Sequence, residues 1–297
     1  MPVSRPELIT LAKSGNSFCD NGRHWRPSRL LFGVVGDPVR HSLSPIFQNA
    51  ALDHEDFVAD YVRLQLGDEQ LELFMASSWA LGFRGFNVTS PHKERVFRLC
   101  RESTGEAKRA EAVNTVRVEQ DGWLGHNTDI AGIRNVLDQW KLDKGFRGIV
   151  LGAGGSARAA ILALADAGAE SVAVVAREGI SRSATQQWIH GAAEALKSAV
   201  SFCPWDVINA QSDRDQVVVS CLPAGVATDE VLGPARGRSY LLDMRYGTQA
   251  IGTLSAGWTR RDGSGVLLAQ GAEAFRWWFR QDPPIDVMTA ALESALD

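Results

Sequence analysis

The sequence predicts an α/β protein of two domains, both built on mostly parallel sheets. Three observations carry that expectation. Strand-like and helix-like patterns alternate from residue 30 onward, as crossover connections between parallel strands require. A glycine-rich turn near residue 152 sits between a strand-like run and a helical run, and a second strand-like run follows it. The chain has 297 residues, enough for two ordinary domains that each bury a core.

Each element follows from local pattern. Residues 1–29 are polar and irregular, with Gly15, Asn16, Gly22 and Pro27, and read as an extension holding one short helix over 6–13. Leu30–Val35 is a short apolar, β-branched run suited to a buried strand. Pro45 begins a helical stretch with Ile46, Phe47, Ala50 and Ala51 on one face. Residues 58–64 and 84–88 read as further strands, each followed by a helical pattern. Pro91 suits the first turn of the helix that carries Lys93, where its missing N–H has no helical acceptor to lose.

Asp129–Lys141 reads as a helix linking the two domains. Arg147–Leu151, Gly155–Ala167 and Ser171–Ala176 then read as strand, helix and strand, one βαβ unit. Further strands are expected at 216–221 and 239–243. Val266–Arg280 is an amphipathic helix bearing Gln270, and a last helix lies near Asp286–Leu296. The expected division is an extension over 1–29, a first domain over 30–130 and a second over 131–274, with helices at about 275–297 packing back on the first.

Composition removes several function classes. The chain is 45% hydrophobic and 22% charged, with a formal charge of -4 spread along its length. No basic stripe suits nucleic acid, and no apolar run is long enough to span a bilayer. Residues 1–30 lack a basic-then-apolar signal pattern, and Glu7 and Asp20 interrupt any acid-poor transit pattern, so a cytoplasmic home is expected. Cys19, Cys100, Cys203 and Cys221 form no C-x-x-C pair and have no His at ligand spacing. Reduced, partly buried thiols and no metal are the expectation. The expected partner is a small molecule, and the expected assembly is a monomer or a homodimer.

Gly152-Ala153-Gly154-Gly155-Ser156-Ala157 fits G-x-G-x-x-A between a strand and a helix. The first glycine permits the tight turn, the second admits a pyrophosphate to the backbone, and the small Ala157 lets helix and strand pack closely. The helix N-terminus then offers N–H groups and the positive end of its dipole. The second domain is therefore expected to be a Rossmann-type, doubly wound dinucleotide-binding domain. At the end of its second strand an acid would select NAD, and an arginine NADP. Ala176-Arg177-Glu178 stands there, with Arg182 four residues after Glu178. Arg177 and Arg182 favour NADP over NAD, against the charge of Glu178.

Four dense motifs fill the first domain. They are His41-Ser42-Leu43-Ser44-Pro45, Asn87-Val88-Thr89 with Pro91 and Lys93, Ala112-Val113-Asn114-Thr115, and Asn127-Thr128-Asp129 closing at Gly132. Singly, each has an ordinary structural role. Ser42, Ser44, Thr89 and Asp129 could cap helices, Asn114 could satisfy backbone in a turn, and Lys93 could be a solvated first-turn residue. A lysine in a first turn opposes the helix dipole, however, and the joint order of the motifs is specific.

Together with the glycine turn and the late Gln270-Gly271-Ala272-Glu273-Ala274-Phe275 stretch, these motifs resemble the shikimate dehydrogenase family from about residue 31 to the end. The resemblance implies a substrate-binding first domain and NADP-linked interconversion of 3-dehydroshikimate and shikimate, a step toward the aromatic amino acids. It implies Lys93 and Asp129 as the catalytic pair and Ser42 and Ser44 as partners of the substrate carboxylate. Thr89, Asn114 and Gln270 would bond the ring hydroxyls, Tyr246 would lie near the carboxylate end, and Gly265 would lie on the cofactor side. The residue types agree with such chemistry. Hydride addition to a ketone leaves an alkoxide, and a positioned lysine can stabilise that charge and deliver the proton.

The family's usual Asn-Ala-Thr-Pro-x-Gly-Met stretch reads here Ser220-Cys221-Leu222-Pro223-Ala224-Gly225-Val226, and its Asn-Arg-Thr reads Ala176-Arg177-Glu178. Its Gly-Met-Leu before the late glutamine reads Gly265-Val266-Leu267. Quinate or an aminated shikimate analogue is the alternative substrate. A sensor that binds a dinucleotide and a cyclitol acid without turnover is the alternative of another class.

Overall fold

The structure is a computed structural model that describes residues 9–11, 18–20, 23–25, 29–205, 215–223, 225–226, 232, 235, 237–247 and 257–297. The chain divides into two compact units, 1–128 with 271–297 and 129–270.

Unit 1 is built on a nine-stranded sheet. Strands β1 (Ile9–Leu11), β2 (Phe18–Asp20) and β3 (Arg23–Trp25) form an antiparallel ribbon. The short helix expected over 6–13 is therefore overturned at residues 9–11, which are strand. Tertiary pairing outweighs the weak helical pattern there, because β1 lies parallel to β5 and extends the main sheet. Next come β4 (Leu30–Gly36), α1 (Ser44–His54), β5 (Ala59–Gln65), α2 (Asp68–Ser77) and β6 (Gly85–Val88). Strand β4 runs parallel to both β5 and β6. Its burial on both faces matches its unbroken apolar sequence.

Helix α3 (Lys93–Leu99), β7 (Glu102–Ser103) and α4 (Gly105–Ala110) lead to a hairpin of β8 (Thr115–Glu119) and β9 (Gly122–His126). The hairpin was not among the expected strands, although Val116 and Val118 alternate in it and Asp121-Gly122 closes its turn. Strand β8 pairs antiparallel with β6, so the parallel centre of the sheet is flanked by antiparallel strands. Helix α3 begins at Lys93, which leaves Pro91 in the preceding turn rather than in the helix.

One core of unit 1 gathers Leu31, Val35, Leu64, Phe74, Phe83, Phe86 and Val116. On a second layer, Phe32, Phe57, Phe275, Trp278 and Phe279 stack on one another. Trp278 donates its Nε1–H to the Val116 carbonyl at 2.9 Å. A Cβ on Gly85 would stand 2.5 Å from that indole nitrogen, so only glycine lets the ring lie on the sheet here.

Unit 2 opens with α5 (Asp129–Gln139), β10 (Arg147–Leu151), α6 (Gly155–Asp166), β11 (Ser171–Val175), α7 (Ile180–Gly191), α8 (Glu194–Ala199) and β12 (Val200–Cys203). Strands β13 (Gln216–Ser220), β14 (Ser239–Asp243) and β15 (Trp258–Arg261) complete a sheet ordered β12-β11-β10-β13-β14-β15. Every pair in it is parallel. Helix α9 (Ser264–Phe279) begins in unit 2, and its residues 271–279 belong to unit 1. Helix α10 (Ile285–Leu296) packs on α1 within unit 1. No helix among the described residues is long and apolar enough to cross a membrane.

Candidate active site

In unit 1 the motif residues collect at the C-terminal ends of β4, β6 and β9 and the N-terminal end of β8, which runs antiparallel to β6 and β9. Ser42 precedes α1, and its Oγ accepts the Ser44 backbone N–H at 3.3 Å. The Ser42 carbonyl accepts from Arg63 Nε at 2.8 Å, which ties the serine loop to β5. Ser44 is buried, and Ser42 is half-buried. Thr89 follows β6, with its N–H bonded to the Val35 carbonyl at 2.8 Å. A Cβ on Gly36 would collide with Thr89 Cγ2, so this glycine is what lets the two strand ends approach.

Lys93 is 8% exposed and opens α3, and its carbonyl accepts from Val113 N at 3.0 Å. A lysine at that burial is uncommon among surface-capable side chains and marks a built site. Beside it, the buried His92 ring bonds the Leu66 carbonyl through Nε2 at 2.7 Å. Its Nδ1 faces Asp68 Oδ1 at 3.4 Å. The turn before Lys93 is thus pinned to the loop between β5 and α2.

Asn114 is buried and joined to the third motif. Its Oδ1 accepts the Thr128 backbone N–H at 2.7 Å, and its Nδ2 donates to Thr128 Oγ1 at 2.9 Å. Asn127 Nδ2 donates to the Ala112 carbonyl at 2.9 Å. Next to this loop lies His126, which is 9% exposed. Burial pushes its imidazole below the ordinary histidine range, opposed in part by Glu106 and Glu273.

In unit 2, Asp129 is buried at the first position of α5. Gly132 closes the motif for a packing reason. A Cβ there would stand 3.0 Å from the Val266 carbonyl and 3.1 Å from Gln270 Cβ, so glycine lets α5 lie close to α9. Gln270 is buried and donates Nε2–H to the Leu267 carbonyl at 2.9 Å. Tyr246 is half-buried just past β14. Its neighbour Arg245 pairs with Asp243, Nε to Oδ1 at 3.0 Å, and donates Nη1–H to the Val226 carbonyl at 3.0 Å.

The glycine turn has the shape a pyrophosphate needs. Gly152 takes φ +107, and its N–H bonds the Val175 carbonyl at 2.9 Å. A Cβ on Gly154 would meet no atom within 4 Å, so space is open on the side where α6 begins. Gly154 is the N-cap of that helix, with extended backbone, and a helix N-terminus offers its first-turn N–H groups to an anion. Ala153 and Ala157 are buried beneath, with the Ala153 carbonyl held by Thr185 Oγ1 at 2.7 Å. Gly265 lies at the start of α9, where a Cβ would touch Val136 of α5 at 3.3 Å. Its smallness serves helix packing.

The two arginines after β11 separate in role. Arg177 is exposed, and its guanidinium lies over the Trp205 ring at 5.7 Å. Arg182, expected to reach the cofactor, is 8% exposed and donates Nη1–H to the Ala176 carbonyl at 2.9 Å. The same Nη1 pairs with Glu178 Oε1 at 3.1 Å. The carboxylate that would repel a 2′-phosphate thus has a cationic partner within the protein. Arg63, Arg245 and Trp205 were not singled out for these roles by the sequence, and their only trace was a charged or aromatic residue beside an otherwise apolar strand or motif.

Cys100, Cys203 and Cys221 are free thiols, and burial pushes the Cys100 thiol up to about 12. The Cys19 side chain lies outside the described residues. No cluster that could hold a metal is present among the described residues.

The unit 2 strand order is the 3-2-1-4-5-6 order of dinucleotide-binding domains, with the glycine turn after its first strand. Joined to a unit carrying a buried lysine and a cluster of hydroxyl and amide groups, it defines a dinucleotide-dependent α/β oxidoreductase. The chain belongs to the shikimate dehydrogenase family. Residues 34–116 match the shikimate dehydrogenase substrate binding domain, and residues 263–293 match the shikimate 5'-dehydrogenase C-terminal domain. A shikimate dehydrogenase (NADP(+)) of Anaeromyxobacter sp. (strain Fw109-5) is 36% identical over 266 residues, covering 88% of this chain and 95% of that one. The same enzyme of Anaeromyxobacter dehalogenans (strain 2CP-1) is 38% identical, covering 89% and 96%. Among solved structures, the Thermus thermophilus shikimate 5-dehydrogenase in complex with NADP(H) and shikimate superposes with a TM-score of 0.71 at 28% identity, covering 90% of this chain and 100% of that one. The Mycobacterium tuberculosis shikimate dehydrogenase gives 0.72 at 27% identity, covering 89% and 99%.

Proposed function

We propose that this chain is an NADP-dependent shikimate dehydrogenase that interconverts 3-dehydroshikimate and shikimate in the cytoplasm. The observation that carries the proposal is the buried Lys93, set within motifs shared by relatives that are 36–38% identical over about nine tenths of the chain. NADPH supplies the hydride to the ketone carbon. Lys93 stabilises the oxygen as negative charge develops and gives it a proton, and it takes the proton back in the oxidative direction. Asp129 is its proposed partner, accepting a hydrogen bond from the reacting hydroxyl. The hydroxyls of Ser42 and Ser44, with Tyr246, are proposed to hold the carboxylate, and Thr89, Asn114 and Gln270 the ring hydroxyls.

For the cofactor, the turn from Gly152 to Ala157 fits the pyrophosphate, and Arg177 fits the 2′-phosphate. Arg177 is exposed and braced over an indole, and the acid that follows it, Glu178, is already paired with Arg182. A guanidinium held this way suits a phosphate better than a ribose hydroxyl.

The test is a steady-state assay of the purified protein by cofactor absorbance, with shikimate or quinate and with NADP⁺ or NAD⁺. Turnover that is fastest with shikimate and NADP⁺ is expected. Turnover confined to quinate would overturn the substrate. Binding of both ligands without turnover would favour the sensor alternative.

A further inference from the structure

Beneath the substrate motifs runs a chain of buried polar side chains that begins far from them, on β5. Tyr61 is 2% exposed and donates its hydroxyl hydrogen to Asn87 Oδ1 at 2.7 Å. Asn87, 5% exposed, donates Nδ2–H to Thr115 Oγ1 at 2.9 Å and to the Asn114 carbonyl at 3.2 Å. Thr115 is fully buried, and its hydroxyl donates to Asn114 Oδ1 at 3.1 Å. Asn114 then closes the chain on Thr128 through both ends of its amide.

The links have a direction. Tyr61 donates to Asn87 Oδ1 because the other end of that amide, Nδ2, faces the Asn114 carbonyl, which can only accept, and Thr115 Oγ1. Thr115 has one hydrogen, which Asn114 Oδ1 and Thr128 Oγ1, each 3.1 Å away, can accept, while the Thr128 backbone N–H at 2.7 Å fixes the Asn114 Oδ1 end. The two ends of an asparagine amide have nearly the same shape, so only their partners fix which end points where. We infer that Tyr61 is a positioning residue of the active site: it anchors Asn87, whose amide nitrogen holds the Asn114 carbonyl and the Thr115 hydroxyl, and so steadies the seats of Asn114 and of Thr128, the residue before Asp129. This deepens the shikimate dehydrogenase proposal and rests on it.

Loss of the Tyr61 hydroxyl would leave Asn87 Oδ1 buried without that donor, and a buried polar atom without a partner drives rearrangement. Inverting the Asn87 amide would set two acceptors together at the Asn114 carbonyl, so Asn87 must shift instead, which loosens its hold on Asn114 and Thr115. A residue that merely packs would lower stability and leave substrate kinetics alone. A positioning residue moves the constants for one substrate and spares those for the other.

The experiment compares Tyr61→Phe with the wild-type chain, varying shikimate at saturating NADP⁺ and NADP⁺ at saturating shikimate. The ring and its packing near Trp278 are retained in this variant. The expected result is roughly a tenfold fall in kcat/KM for shikimate, with the KM for NADP⁺ held. Thr115→Val should fall in the same way, and Thr115→Ser, which keeps the hydroxyl, should recover most of the loss. The Thr115 pair decides the matter if Tyr61→Phe fails to fold. Folded Tyr61→Phe and Thr115→Val proteins with wild-type shikimate constants would overturn the inference, as would equal shifts for both substrates. A wild-type chain that does not turn over shikimate would instead overturn the functional proposal, and the inference with it.

Discussion

The two units prepare for their ligands in opposite ways. Unit 1 uses side chains that are already bonded to one another. Ser42 is held by Arg63, Asn114 by Thr115 and Thr128, and the turn before Lys93 by the His92 ring. Unit 2 uses backbone and open space: a glycine at φ +107, a second with nothing within 4 Å of a Cβ, and an exposed arginine resting on an indole. The first arrangement is preorganised, so it should fail when one atom is removed. The second is a cradle, so it should fail when one atom is added.

The largest effect expected from removal is at Lys93. Lys93→Ala should lower kcat by about 10³-fold, the scale of a lost general acid that also stabilises charge. Cofactor affinity, measured by fluorescence titration with NADPH, should change little, because the cradle is untouched. Wild-type turnover in this variant would remove Lys93 from the mechanism. Next in size is Arg177→Ala, which should cut the preference for NADP⁺ over NAD⁺ by about tenfold or more, equivalent to one charge-assisted phosphate contact. The ratio of kcat/KM values for the two cofactors reads it directly. An unchanged ratio would move 2′-phosphate recognition to another residue.

The same contrast explains what was legible in the sequence. The cradle could be read because glycine is nearly the only residue that takes the backbone angles at Gly152, so conformation is written in residue identity. The unit 2 strands could be read because burial on both faces leaves continuous apolar runs such as Val217–Val219. Lys93, Asp129 and Asn114 stood out through dense motifs, but what holds them did not. Tyr61 is 26 residues from Asn87 and Arg63 is 21 from Ser42, and their meeting depends on strand order, which no local pattern encodes. Arg182 shows the converse. Its place after β11 suggested a phosphate ligand, and its bonds through Nη1 to the Ala176 carbonyl and Glu178 could not be read from that place. The ribbon of β1–β3 was missed because its strands are three residues each, too short for a period to show, and β1 is held by its pairing with β5 and β2.

A smaller effect tests the cradle by addition. Gly154 has φ -95 and ψ -169, which any residue can adopt. Gly154→Ala should therefore leave thermal stability within about 0.5 kcal/mol of wild type. Its methyl group would occupy the open space at the start of α6, so the KM for NADP⁺ should rise by about tenfold while the KM for shikimate stays put. Gly152→Ala differs in kind. It forces a side chain to φ +107 and sets a Cβ 3.3 Å from the Cys221 carbonyl, so stability and cofactor affinity should fall together. Equal melting temperatures for the two variants would contradict the distinction between strain and obstruction.

The smallest effect returns to unit 1 and to pH. His126 sits among Thr104, the N-cap of α4, Glu106 of α4, and Glu273 and Trp277 of α9. Burial lowers its pKa, and the two carboxylates only partly offset that. The folded state therefore binds the imidazole proton less readily than the unfolded chain. Stability from this residue is fully present above the ordinary histidine value of about 6.5 and is lost as pH falls through the lower, folded value. A melting temperature that drops from pH 7 toward pH 5 is expected, with a shallower drop in His126→Gln. The neighbouring bonds suggest that activity should follow stability here, because the His126 carbonyl accepts the Asn114 N–H at 3.1 Å and so anchors the same asparagine that Thr128 holds. An identical pH slope in wild type and His126→Gln would show that other groups carry the acid sensitivity, and that the preorganised side of the molecule does not extend to this ring.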